Sequence, residues 1–168
     1  IGDKVCAHKG WQTHIKVSDK DISLYKIENH EIPMHTYLGA VGMPGRTAYF
    51  GLNYVGKHTK GETLVVSAAS GAVGSVVGQL GKHNGLKVIG IAGGEMKCNF
   101  VKNELGFDEC IDYKSPDFKD ALISSCNNGI DIYFENVGGI TTQLIAPLLN
   151  KGARVPICGY ISKYNSPN

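Results

Sequence analysis

The chain has 168 residues, 42% of them hydrophobic and 19% charged, with a formal net charge of +2. That composition excludes a disordered or collagen-like polymer, and no apolar run approaches the roughly 20 residues needed to span a bilayer. Its lysines and arginines are scattered without a basic block, so we expect no membrane and no nucleic acid as partner; a small anionic ligand is compatible. Cys6, Cys98, Cys110, Cys126 and Cys158 are odd in number and include no C-x-x-C pair, which is neither a disulfide framework nor a zinc ribbon. They read as reduced, structural thiols of a cytoplasmic protein, with Cys158 as the exception because it falls near the ligand site read below.

In chain order, 4–8 and 14–17 are predicted to form short antiparallel strands, and 19–32 an irregular polar excursion. Gly42-Met43-Pro44-Gly45 then punctuates the chain ahead of a helical pattern over 46–54, which places a domain boundary near residue 42, separating 1–41 from 42–168. Beyond it, short β-branched runs near 63–68, 87–91, 109–113, 130–135 and 153–158 alternate with helical patterns near 73–84, 96–105, 117–126 and 139–149. Such alternation signals a parallel sheet with helices on both faces, joined by right-handed crossovers. The fold class is therefore α/β, a Rossmann-type doubly wound sheet with strand order 3-2-1-4-5. Five of the usual six strands are accounted for, so we expect an incomplete protein.

The first of these strands runs through Val65-Val66-Ser67-Ala68-Ala69-Ser70 into Gly71-Ala72-Val73-Gly74, the start of a helix. A tight glycine turn at that point lets backbone approach a pyrophosphate, and the helix N-terminus offers free N–H groups and a positive dipole. Gly71, Ala72, Val73 and Gly74 are thus candidate cofactor-binding residues, although Ala69 replaces the first glycine of G-x-G-x-x-G. The second strand ends in Gly90-Ile91-Ala92-Gly93-Gly94, where NAD-binding folds usually carry the carboxylate that holds a ribose 2′-hydroxyl. Glu95 falls at the expected helix start, suited to the dipole. Lys97 reads either as a solvated helix face or as a cation for a 2′-phosphate. Tyr113 ends the third strand and Asn136 follows the fourth; by pattern alone the first is equally an ordinary amphipathic tyrosine and the second a helix N-cap.

Five segments in order give the chain a family resemblance: Gly10-Trp11-Gln12, the run from Gly42-Met43-Pro44-Gly45 to Leu52, 68–78, Glu135-Asn136-Val137-Gly138-Gly139, and Cys158-Gly159-Tyr160-Ile161-Ser162-Lys163-Tyr164. Together they resemble the zinc-independent medium-chain dehydrogenases/reductases, and among them the NADPH-dependent alkenal and prostaglandin reductases. The resemblance implies a chain about twice as long, in which 1–41 is the tail of a GroES-like catalytic β domain and 42–168 an NADP-binding Rossmann domain. It implies that Lys97 meets the 2′-phosphate, that Tyr113 covers the adenine ribose, that Asn136 contacts the cofactor ribose, and that Cys158, Gly159, Tyr160, Ile161, Ser162 and Tyr164 line the nicotinamide half.

Tyr164 is the implied catalytic residue, hydrogen-bonding or orienting substrate. The implied reaction is conjugate reduction of an α,β-unsaturated aldehyde or ketone by NADPH in a full-length homodimer. Zinc-dependent relatives carry a cysteine ligand four residues before the threonine that matches Thr47; here Met43 stands in that place, and a thioether is a poor zinc ligand, so no metal is expected. Two other readings stay open: a quinone reductase of the same superfamily, and a non-enzymatic nucleotide- or RNA-binding module.

Overall fold

The computed structural model describes residues 2–165 except 11, 19, 22, 29 and 30. Trp11 and His30 therefore lie outside the described residues. Among the described residues, seven strands, β1 (Val5–Cys6), β2 (Tyr25–Lys26), β3 (Thr63–Ser67), β4 (Lys87–Ala92), β5 (Glu109–Asp112), β6 (Ile130–Phe134) and β7 (Leu149–Arg154), form two sheets. The five-stranded sheet has the order β5-β4-β3-β6-β7, all parallel, which is the predicted 3-2-1-4-5. Helices α1 (Met43–Phe50), α2 (Gly74–His83), α3 (Glu95–Asn103), α4 (Phe118–Ser125) and α5 (Ile140–Ile145) connect and flank it.

Burial on both faces explains why these strands are nearly continuous apolar runs. All five residues of β3 are buried, and their alternation sends Leu64 and Val66 to one face and Val65 to the other. The first face packs Ala48 of α1, Val77 of α2, Cys98 and Val101 of α3, and Phe107. The second packs Phe118 and Leu122 of α4 and Ile145 of α5. Helix α1 starts with Pro44 in its first turn, where a missing N–H costs nothing, and continues as a π-helical turn over Gly51–Val55. Pro147 ends α5, and the chain passes through a 3-10 turn, Ala146–Leu148, directly into β7.

Two expectations are corrected. The segment 14–17 is not a strand: β1 pairs instead with β2, Val5 opposite Lys26 and Cys6 opposite Tyr25, inside the stretch read as irregular. Two-residue strands carry too little periodicity to be seen in sequence. The last strand also begins earlier than expected. Ile130 faces Leu149 and Ile132 faces Arg154, so the polar Asn150-Lys151-Gly152-Ala153 bulges from the ladder, with Gly152 at φ +83°. Pairing then resumes with a parallel bridge from Glu135 to Ile157, inside the predicted segment. In this same strand, Arg154 donates to the Gly56 and Asp131 carbonyls and pairs with Glu62 at 2.5 Å; that guanidinium holds the Glu62 carboxyl below its ordinary value.

Helix α2 lies so close to the sheet that a Cβ on Gly78 would enter the ring of Phe107, itself 4% exposed. Helix propensity favours Gly78→Ala by about 1 kcal/mol, but overpacking of this kind costs about 1–3 kcal/mol. Gly78→Ala is expected to lower stability in urea denaturation, and adding Phe107→Leu to recover part of the loss.

Candidate functional site

The carboxyl ends of β3, β4, β5 and β6 open onto a cavity of about 520 Å³. Such a cleft belongs where the strand order reverses, because connections leaving β3 and β6 pass to opposite faces and leave the space between them uncovered. Its floor is the β3 turn: Ser67, Ala68, Ser70 and Gly71. Ala68 holds a left-handed φ of +50°, an uncommon value for a residue with a side chain, and its carbonyl accepts the Gly71 N–H at 2.9 Å. A Cβ on Gly74 would collide with that same carbonyl, so Gly74 secures the approach of α2 to the turn. A Cβ on Gly71 would meet only the Ala68 oxygen, at 3.1 Å, and Gly71 faces the cavity. Ala72, Val73 and Gly74 do not line it.

One wall joins Gly93, Lys97 and Tyr113. The Tyr113 ring lies over Gly93, where a Cβ would stand 2.8 Å from it. Lys97 is exposed, on the first turn of α3. Asp112, just before Tyr113, turns its carboxylate to the N–H groups of Gly94 (2.8 Å) and Lys114 (2.9 Å), and these bonds hold its carboxyl below the ordinary range. Among the described residues, the lining therefore contains a lysine and no carboxylate.

The other wall is Val137, Gly138, Ile140, Thr141, Ile161 and Ser162. Ser162 docks on the β6–α5 turn, its N–H (3.0 Å) and hydroxyl (2.6 Å) both donating to the Val137 carbonyl, while Ile161 N–H reaches Asn136 O at 3.2 Å. Asn136 is behind the wall rather than in it. Its amide donates to the Ser67 carbonyl and its N–H to the Ser67 hydroxyl, each at 2.8 Å, and α5 begins only at Ile140, so it is not the N-cap either.

Cys158, Gly159, Tyr160 and Tyr164 also lie outside the lining. The Tyr164 hydroxyl folds back to accept the Tyr160 N–H at 3.0 Å, and the residue is 66% exposed. Burial pushes the Cys126 thiol up to about 11 and raises those of Cys110 and Cys158 as well.

Sequence reasoning missed Ser67, Thr141 and above all Glu135. Glu135 is 1% exposed, and its carboxylate accepts bonds from Ser67 Oγ (3.1 Å), Val137 N–H (2.8 Å), Gly138 N–H (2.9 Å) and the Thr142 hydroxyl. Burial acts to raise its pKa, but the donors from Thr142, Gly138 and Val137 outweigh it and hold the carboxyl below its ordinary value. Burial raises the pKa of the Tyr133 hydroxyl, which neighbours Ser67, Glu135 and Thr142. The only signal in sequence was a charged residue closing an apolar strand.

Met43, read as standing in a zinc ligand's place, is 57% exposed, and its sulfur lies 3.4 Å from the Thr47 hydroxyl. Among the described residues, no group of three His, Cys, Asp or Glu could hold a metal ion, and no helix is long and apolar enough to cross a membrane.

Residues 72–167 match the family model described as zinc-binding dehydrogenase. The chain belongs to that family. It is 48% identical over 165 residues to the NADPH-dependent curcumin reductase of Escherichia coli, covering 98% of this chain and 47% of that one. It is 43% identical to the NADP(+)-dependent 2-alkenal reductase of Nicotiana tabacum, over 98% of this chain and 48% of that one. Among solved structures, CurA of Vibrio vulnificus in complex with NADPH superposes with a TM-score of 0.83 at 56% identity, covering 89% of this chain and 44% of that one. The chain thus spans about half the length of the curated dehydrogenase-family relatives it matches.

Because Gly71 faces the cavity and a Cβ there would press only on the Ala68 carbonyl oxygen, which must give by a few tenths of an ångström, Gly71→Val is expected to fold with a small loss of stability and to bind dinucleotide at least about tenfold more weakly, a loss of some 1.4 kcal/mol. Circular dichroism and a fluorescence titration with NADPH check the two halves of that statement.

Proposed function

We propose that this chain is the NADPH-binding part of a reductase that delivers hydride to the C=C bond of α,β-unsaturated aldehydes or ketones without zinc. The observation that carries the reading is the wall at Gly93, Lys97 and Tyr113. A lysine with no opposing carboxylate suits a dianionic 2′-phosphate, whereas an acidic residue there would repel it. Asp112, next to Tyr113, is occupied by backbone donors, and Glu95, on the first turn of α3, is not in the lining. The Gly71 turn suits the pyrophosphate, with α2 directed at it. The relatives named for NADPH and for an alkenal substrate support the same assignment.

When bound, NADPH supplies the hydride. This chain's residues hold it: Lys97 and Tyr113 at the 2′-phosphate end, Gly71 and its neighbours at the pyrophosphate, and the Val137–Gly138 and Ile161–Ser162 wall at the remainder. Addition of hydride at the β-carbon of an enone leaves charge on the carbonyl oxygen, which needs a hydrogen-bond donor. Tyr164 is the candidate in this chain: its hydroxyl oxygen accepts from Tyr160, so its proton is available to point outward. Cys158, Gly159 and Tyr160 carry that tyrosine at the cleft edge. Met43 supports chemistry without zinc, since a thioether is a poor ligand for it. Residues 1–41 fit the tail of a catalytic β domain and 42–168 the dinucleotide domain. The partner is a small molecule rather than nucleic acid, in a cytoplasmic homodimer.

Lys97→Ala is expected to weaken NADPH by about tenfold and to leave NADH nearly unchanged, in line with loss of one charge-assisted contact; equal losses for both, by titration, would overturn the 2′-phosphate assignment. In a second measurement, chelation is expected to leave enal reduction by the full-length enzyme unchanged. Activity lost to chelator and restored by stoichiometric zinc would move the protein to metal-assisted chemistry.

A further inference from the structure

Burying a carboxylate costs several kcal/mol unless donors surround it. Among the described residues Glu135 has no cationic partner, yet it occupies the strand position where an aliphatic residue would do for packing. What it has instead is a set of donors drawn from separate segments. Ser67 comes from the end of β3, Val137 and Gly138 from the turn after β6, and Thr142 from α5. Its backbone adds a fourth segment: Glu135 N–H donates to Pro156 O (2.9 Å), and its carbonyl accepts from Cys158 (2.8 Å) and Gly159 (3.2 Å).

The turn leans on bonds from outside it. Gly138 and Gly139 both take positive φ, +75° and +68°, and the N–H groups of Val137 and Gly138 both donate to the Glu135 carboxylate. Without the carboxylate those two donors would be buried or would turn toward the cavity. Ser162, which docks on Val137 O, would move with them.

We propose that Glu135 is the positioning residue of the cleft, a buried carboxylate that fixes the Val137–Gly139 turn, and through it the Ile161–Ser162 wall, in the shape that receives the dinucleotide. Glu135 is not among the residues that line the cavity. The proposal rests on the NADPH reading above. It assigns Glu135 to one wall only, since its hydrogen bonds run to Ser67, Val137, Gly138 and Thr142 and to 156–159, on that side of the cleft.

That asymmetry supplies the test. NADPH and the half-ligand 2′,5′-ADP are titrated into wild type, Glu135→Ala, Glu135→Gln and Thr142→Val. Glu135→Ala is expected to weaken NADPH by about tenfold or more while 2′,5′-ADP binding stays within about twofold. Glu135→Gln keeps an oxygen for Ser67, Val137 and Gly138 and an N–H for the Thr142 hydroxyl, and is expected to bind NADPH nearly as wild type does. Thr142→Val, which removes one donor and leaves the turn bonded, gives a smaller loss of NADPH affinity, again without loss of 2′,5′-ADP, and decides the matter if Glu135→Ala fails to fold. Unchanged NADPH affinity in a folded Glu135→Ala, or in Thr142→Val where Glu135→Ala does not fold, would overturn the proposal; so would equal losses for NADPH and 2′,5′-ADP. Wild type that binds neither ligand would instead overturn the cofactor reading on which it stands.

Discussion

The position of β3 at the centre of the parallel sheet is the constraint on which the rest depends. A strand paired on both edges and covered on both faces leaves its chain only one way out, through a turn at its carboxyl end. That turn is made compact by Ala68 in the left-handed region and by the absence of a side chain at Gly74, so α2 starts directly against the sheet. The neighbours then diverge, with α2 and α3 on one face and α4 and α5 on the other. The cleft is the unfilled space which that divergence creates.

The two walls of this cleft are held by different means. At Gly93 and Tyr113 the fit is steric, ring against glycine, with Asp112 pinning the Gly94 N–H. At Val137 and Ser162 it is a layered set of hydrogen bonds built outward from a single carboxylate. A steric wall tolerates small shifts of its members, whereas a buried polar network loses much when one donor is left unmatched. The second wall is therefore the more exacting about residue identity.

Much of this was legible in sequence, for physical reasons. Strands buried on both faces spell long apolar runs, so β3, β4 and β6 were found within a residue or so of their true limits, and their alternation with helices gave the strand order. Gly71 and Tyr113 lie at the cavity because the ends of parallel strands share one edge, whereas Lys97, Ile161 and Ser162 were legible only through the family resemblance. What escaped were features that depend on contacts distant in sequence. Pairing of β1 with β2 is one, the bulge before Arg154 another. The bond from the Asn136 amide to Ser67, a residue 69 positions away, is a third. Glu135 has four acceptor contacts and looked, in sequence, like a strand-end charge of no special interest.

The cysteines acquire a meaning from the chemistry proposed for the cleft. Conjugated enals and enones alkylate thiolates by the same polarisation that makes them accept hydride at the β-carbon. Protonated thiols react far more slowly, because the thiolate is the nucleophile. Desolvation raises the Cys110, Cys126 and Cys158 thiols, the last of them exposed. If the cleft takes such substrates, these sulfurs stand in the form that reacts with them most slowly.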